Sequence, residues 1–470
     1  MDKDMFRGKK ITVMGLGLFG GGAGLARFLA HQGAGLVVTD LKTEEQLASS
    51  LASLDVSGTS PIEFHLGGHR EGDFKHVDMV MVNPAVPKDS RFLQIARENN
   101  VPFETEMNLF FKLCPAPIIG ITGTKGKSTT TALVGEMLRQ QGRRVWVGGN
   151  MGLGYSLLEY MDEIEAGDLV VLELSSFQLD DLGELEMSPH LSVVTNIAPN
   201  HLDRHKSLTE YIDAKKNIMR FQGPDDYCVL NLDDEELRKW AAETSAKVFW
   251  FSAGKVVESG AFLENGNIHL RCGNVGQGEA VVACLSDAKL PGAHNVVNML
   301  TASCTAFLTG VEGKSIERAI RGFSGLEHRL EFVCEIDGVR YYNDSIATTA
   351  ESAIAGLRAF ERPVVLIAGG YDKGTPFDAL AEECAKRAKS VILLGKTAKN
   401  IGELITRAKD GRDAPEILYA SSLEEAVRVA RGAAQRGDIV LLSPACASYD
   451  MFVNFVDRGR QFKALVQEIK

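Results

Sequence analysis

Short apolar runs bounded by glycine, proline and polar loops recur along the chain, and each is followed by a segment with helical spacing of its apolar residues. That alternation predicts an α/β protein built from parallel sheets. Residues 10–14, 36–39 and 77–82 read as strands of a first sheet, with a helix running from the turn after residue 14 to about residue 32. Residues 106–113 have helical spacing, and Pro115 and Pro117 break it, which predicts a boundary there. Strands are predicted next at 118–121, 169–174 and 191–197, with a helix ending at about 141 before Gly142 and another over 211–221. From 227 to 288 apolar and polar residues alternate among many glycines, which predicts a small β-rich excursion on the edge of this domain. A last group of strands, 340–343, 364–368, 391–394 and 439–442, predicts a third α/β unit. The expected organisation is therefore a Rossmann-like domain over 1–114, a central P-loop ATPase-like parallel-sheet domain over 115–325, and a C-terminal Rossmann-like α/β domain over 326–470.

Composition narrows the function classes. With 470 residues, 45% hydrophobic and 24% charged, the chain has the makeup of a globular protein too long for one core. A net charge of −11 argues against nucleic acid as partner. An anionic substrate must then meet positive charge supplied locally. The eight cysteines show neither CxxC pairing nor zinc-ligand spacing, no apolar run reaches the length of a membrane span, and the N-terminus enters a strand rather than a signal-peptide core. A cytoplasmic enzyme is expected.

The strongest chemical signal is IIGITGTKGKSTTT, residues 118–131: an apolar strand, a tight loop and a helix start. Gly123, Thr124, Lys125, Gly126, Lys127, Ser128 and Thr129 would cradle phosphates, Lys127 adding a cation and the Ser128 hydroxyl serving Mg2+ at the positive end of the helix. The motif is a shortened GxxGKS, because Ile121 stands where a full loop has glycine. Nearer the N-terminus, GLGLFG with glycines at 15, 17 and 20 follows the first strand, and Asp40 ends the second, a pattern that suits any nucleotide diphosphate. Glu173 stands in an otherwise apolar strand, where a carboxylate is costly unless something neutralises it, and APNHLDRH places His201, Asp203 and His205 in a loop at the end of another. Ser128, Glu173 and His201 are expected at one sheet edge, a donor set suited to Mg2+ beside a nucleotide. Asn295 and Asn298 share one helix face, with helix capping the alternative for Asn295. By spacing alone Lys215 reads as a solvated surface lysine.

Taken in order, GTKGKST, GGNMG, LELSSFQL, NHLDRH, GAHNVVN, GLEHRLE, YYNDS, GGYDKG and LLSPACASYDMF resemble the Mur ligases of peptidoglycan synthesis over essentially the whole chain. The resemblance implies an ATP-dependent ligase that adds glutamate to UDP-N-acetylmuramoyl-L-alanine through an acyl phosphate, using ATP and two Mg2+ ions and acting as a monomer. It implies catalytic roles for Lys127, Glu173, His201 and Lys215, with Ser128, Glu173, His201 and Lys215 at the metals and Lys215 carbamylated. Asn295, Asn298, Arg329 and Asp344 match nucleotide contacts, and Leu18, Phe19 and Asp40 match residues around the uridine diphosphate. Asn150 matches a residue near the muramoyl-alanine end, and Thr348, Lys373, Ser448 and Phe455 match glutamate contacts. The chain departs from the family pattern at Ile346, where lysine is frequent, and at Leu41 and Lys42, where a Thr-Arg pair is familiar. The competing readings are a folylpolyglutamate synthase-like ligase of the same superfamily, a nicotinamide-dependent dehydrogenase and a P-loop ATPase without bond-forming chemistry. The first of these begins almost at the phosphate loop, whereas about 110 residues precede it here. The second leaves the GTKGKST loop without a purpose.

Overall fold

In the computed structural model the described residues are 5–17, 21–52, 54, 62–151, 155–199, 205, 207–271, 279–290, 292–371, 376–411 and 413–469. Leu18, Phe19, His201, Asp203 and Lys373 lie outside them. The described strands form three sheets. The first comprises β1 (Lys10–Met14), β2 (Gly35–Asp40), β3 (Ile62–Leu66), β4 (Met79–Val82) and β5 (Phe103–Thr105), all parallel, in the order β3-β2-β1-β4-β5.

The second sheet contains β6 (Ile118–Thr122), β7 (Val145–Gly149), β8 (Leu169–Glu173), β9 (Leu191–Val194), β10 (Tyr227–Asn231), β11 (Lys247–Ser252), β12 (Gly260–Glu264), β13 (Asn267–Arg271) and β14 (Ala280–Cys284). Its order is β14-β13-β12-β11-β10-β9-β6-β8-β7. Every residue of β6, β8 and β9 is buried, as expected of parallel strands covered on both faces. The expected β-rich excursion forms the far edge, where β12, β13 and β14 switch to antiparallel pairing. β6 lies between β8 and β9, so the chain leaves β6 at a point where the connections diverge to opposite sides. The carboxyl ends of three central strands open there, which is where open α/β sheets place ligands.

The third sheet holds β15 (Glu331–Ile336), β16 (Val339–Asn343), β17 (Val364–Ala368), β18 (Ala388–Leu393), β19 (Glu416–Tyr419) and β20 (Ile439–Leu442), ordered β15-β16-β20-β17-β18-β19. The chain packs as two compact units, residues 1–323 and 324–470. Within the first unit one apolar core runs continuously from Phe28, Leu29 and Val38 beside the first sheet to Leu157, Val170 and Leu172 of the second. The two sheets therefore share their buried surface.

One element differs from its expected span for a reason that matters to the site. The strand expected over 191–197 stops at Val194: the Thr195 amide still donates to the Thr122 carbonyl of β6 (3.0 Å), while the Thr195 and Asn196 side chains turn onto the phosphate loop.

Candidate active site

The loop after β6 is shaped by two glycines that no other residue could replace without displacement. At Gly126 φ is +84°, and an added Cβ would lie 2.3 Å from Asn298 Oδ1; at Gly123 φ is +146°, and a Cβ would lie 1.9 Å from Thr195 Oγ1. Gly126 caps the helix Lys127–Gln140. The end of β9 grips the loop: the Thr124 amide donates to the Asn196 carbonyl (2.9 Å), the Lys125 amide to Asn196 Oδ1 (3.0 Å), and the Thr195 hydroxyl to the Lys125 carbonyl (2.6 Å). Lys127 folds over the loop, its Nζ donating to the carbonyls of Gly123 (3.1 Å) and Thr124 (3.2 Å). Ser128 is buried at the first helical turn, and Thr129 beside it is half-buried. A helix N-terminus, a glycine-shaped loop and an ammonium head held at that loop form a site for a polyphosphate.

Glu173 ends β8 with Ile121 as its register partner, so its carboxylate is carried to the side of the phosphate loop. It is 2% exposed; Oε1 accepts from the Asn150 side-chain amide at 3.2 Å, whereas Oε2 is buried with no hydrogen-bond partner among the described residues. An orphaned carboxylate oxygen fits a site that receives a cation, since burial of such an atom is otherwise uncompensated. The free oxygen of Glu173 therefore suits a hard cation such as Mg2+.

Lys215 corrects the surface reading drawn from spacing. The helix Leu208–Arg220 starts at its Ser207 cap and turns Lys215 inward, where it is 2% exposed and donates to Thr122 Oγ1 (2.9 Å) and to the Gly123 carbonyl (3.1 Å), with its Nζ 5.0 Å from the centre of the Tyr211 ring. Burial, reinforced by the nearby charge of Lys127 and opposed by Glu173, holds its amine well below the ordinary lysine range. The adjacent Lys216 behaves as a rim residue, paired with Glu243. His205 packs flat on Phe177, at 5.2 Å and 7°, with Nε2 2.9 Å from Ser176 Oγ.

Asn295 and Asn298 are buried on the helix Ala293–Leu308, the Asn298 amide donating to Asn295 Oδ1 at 3.0 Å. Gly292 occupies the cap position, so capping is not the role of Asn295. At the first sheet, the Asp40 carboxylate accepts from the Gly17 amide (3.2 Å) and the Lys42 amide (2.9 Å), which fixes the glycine turn to the end of β2. Asn83, after β4, donates to the Gly15 carbonyl at 3.2 Å and closes the other side of that turn.

In the second unit, Asp344 follows β16 and is 5% exposed, accepting from the Ser443 hydroxyl (2.7 Å) and the Leu330 amide (3.1 Å). Burial pushes its carboxyl up to about 7 despite those bonds. Ser448 is buried, Thr348 and Phe455 are half-buried, and Arg329 is exposed. The Phe455 ring meets the His328 ring edge-on at 6.1 Å.

Sequence reasoning passed over Thr122, Thr195, Asn196 and Tyr211, which orient the loop and Lys215. The available signal was polar residues at the carboxyl ends of two buried strands that flank each other. None of the described helices is long and apolar enough to cross a membrane.

Three successive domain families match the chain: Mur ligase MurD-like, N-terminal domain (residues 9–104), Mur ligase middle domain (121–306) and Mur ligase, glutamate ligase domain (328–446). A UDP-N-acetylmuramoylalanine–D-glutamate ligase of Roseiflexus sp. (strain RS-1) is 46% identical over 98% of both chains. A protein of the same name from Acetivibrio thermocellus is 42% identical, covering 100% of this chain and 98% of its own. Among solved structures, the UDP-N-acetylmuramate-alanine ligase MurC of Thermotoga maritima shares the fold with a TM-score of 0.61 at 22% identity, covering 98% of this chain and 100% of that one.

Proposed function

This chain belongs to the Mur ligase family and is an ATP-dependent ligase, and from that premise we propose that it joins D-glutamate to UDP-N-acetylmuramoyl-L-alanine in peptidoglycan precursor synthesis. The observation that carries the reading is full-length relatedness: identity of 46% across 98% of both chains leaves no segment of the relative's machinery unmatched at domain scale.

The chemistry proceeds in two balanced steps. A carboxylate oxygen of the muramoyl-alanine attacks the γ-phosphorus of ATP; the new C(O)O–P bond forms as the bond to the β-phosphate oxygen breaks, and ADP leaves. The glutamate amine then attacks the acyl carbon, the C–N bond forms, the amine loses a proton, and inorganic phosphate departs. The first step brings anions together, and this chain answers with the backbone amides at the N-terminus of the helix Lys127–Gln140 and the ammonium of Lys127. Ser128 and Glu173 would hold one Mg2+, with His201 and a carbamylated Lys215 serving a second. The ions would supply charge neutralisation at the phosphates. Carbamylation suits Lys215 because a buried amine kept neutral is a nucleophile toward CO2, and the product carries the charge of a carboxylate.

The remaining assignments follow the same reading. Asn295, Asn298, Arg329 and Asp344 take the adenine nucleotide, and Asp40 with Leu18 and Phe19 takes the uridine diphosphate. Asn150 serves the alanyl end, and Thr348, Lys373, Ser448 and Phe455 serve glutamate. The domain boundaries fall near 114 and 325, and the protein is a cytoplasmic monomer. ADP release measured with UDP-N-acetylmuramoyl-L-alanine and each glutamate enantiomer is expected to require the nucleotide substrate and D-glutamate together. ADP release indifferent to both would overturn the assignment.

A further inference from the structure

We propose that the strap around Ser156–Glu159 is a spacer that fixes the distance between the anchor of the nucleotide-linked substrate and the reaction centre at Glu173, with Gly24, Glu106, Ser156 and Glu159 as positioning residues. The inference rests on the functional reading above and deepens it.

One end of the strap is fastened to the reaction centre. Gly149 ends β7 in register with Glu173, the Asn150 amide donates to the Glu173 carbonyl at 2.9 Å, and the Asn150 side chain reaches Glu173 Oε1. Six residues later the chain is fastened to the first sheet's helix Gly21–His31, the helix that begins at the glycine turn expected to hold the diphosphate. The Ser156 hydroxyl donates to Glu106 Oε1 at 2.5 Å, while Glu106 Oε2 lies 3.2 Å from where a Cβ on Gly21 would stand. Glu159 accepts from the Ser156 amide at 3.0 Å and pairs through its other oxygen with Arg27 Nε at 2.7 Å. Between these two ties there is no room. A Cβ on Gly24 would meet Glu159 Oε1 at 2.4 Å, Ser156 Cβ at 2.7 Å and the Ser156 backbone nitrogen at 2.9 Å. Behind the strap, Tyr155 donates to the Val147 carbonyl at 2.9 Å and Leu157 and Leu158 are buried in the shared core.

The physical consequence follows from the substrate's length. A molecule held at its nucleotide end presents its reacting carboxylate correctly only if anchor and metal-binding edge keep their spacing. The strap is seated directly on β7, with Tyr155 on the Val147 carbonyl and a Leu157 methyl 2.7 Å from where a Cβ on Gly148 would stand, next to Gly149, the register partner of Glu173. A one-ångström error in such a spacing costs about a hundredfold in turnover without weakening the anchor's own contacts.

Gly24→Ala inserts a methyl group into that contact and pushes the strap off the helix. Expected is a fall in kcat of about tenfold to a hundredfold while KM for the nucleotide substrate stays within about threefold. Glu159→Ala, which cuts the tie to Arg27 without adding volume, is expected to show the same split and serves if the first variant does not fold. Glu159→Gln keeps an acceptor for the Ser156 amide but turns an N–H donor toward Arg27 and is expected to show the same split, whereas Glu159→Asp keeps a carboxylate for both partners and is expected to restore part of kcat. A merely structural strap would lower the melting temperature and leave kcat per folded molecule unchanged, and that result overturns the proposal. Absence of glutamate-dependent ADP release by the wild-type chain is a separate outcome that overturns the functional reading itself.

Discussion

Replacing Lys127 with alanine is expected to slow glutamate-dependent ADP release by about a thousandfold or more, which corresponds to about 4 kcal/mol of lost transition-state stabilisation. The expectation comes from what surrounds the ammonium. Its Nζ is fastened to the carbonyls of Gly123 and Thr124, so the charge is already held over the loop before any nucleotide arrives. Exchanging two carbonyl contacts for phosphate oxygens costs little reorganisation, and charge-assisted bonds to phosphate are the stronger ones. The fold should survive the substitution, because the loop is secured independently by Thr195 and Asn196. A melting temperature within a few degrees of wild type together with near wild-type turnover would refute the assignment of Lys127.

Lys215→Ala is the second large effect: turnover is expected to drop by about a hundredfold and to recover partly in the presence of short carboxylic acids such as acetate, which would occupy the emptied space with the charge the carbamate supplied. Intact-mass measurement of active enzyme should show the addition of one CO2, lost in the Lys215→Ala variant. A bare amine at full activity would count against the modification. The bare amine also has a signature in stability. Burial depresses its folded-state value below that of the unfolded chain, so between those two values the unfolded state binds the extra proton. In CO2-depleted buffer stability therefore rises with pH across that window, up to the ordinary lysine value of about 10.4, and Lys215→Met should flatten the rise. Denaturant midpoints measured through alkaline pH give the comparison.

Lys215 also shows where sequence reasoning reached its limit. Two adjacent lysines on one helix look alike as text, yet they lie on different sides of it: Lys216 pairs with Glu243 near solvent and Lys215 is enclosed beside Thr122. The resemblance to the Mur ligases distinguished them; spacing alone gave the opposite answer. Thr195 and Asn196 were hidden for a related reason. Their place in an apolar run over 191–197 reads as strand, and only the approach of β6 to β9 reveals that their side chains bind the loop after β6.

What the chain's order alone determined was local and periodic. The alternation of buried strands and helices, the glycines that let the loop after β6 turn, the helix that must follow it, and the placement of Glu173 and Asp40 at strand ends are consequences of neighbours in sequence, where backbone geometry acts over a few residues. What only the tertiary structure decided was convergence. The register of Glu173 with Ile121, the burial of Lys215, the grip of Asn196 on the phosphate loop and the packing of Gly24 against Ser156 each join residues tens to more than a hundred positions apart. Burial and desolvation are properties of the assembled sheets, and no stretch of the chain carries them by itself.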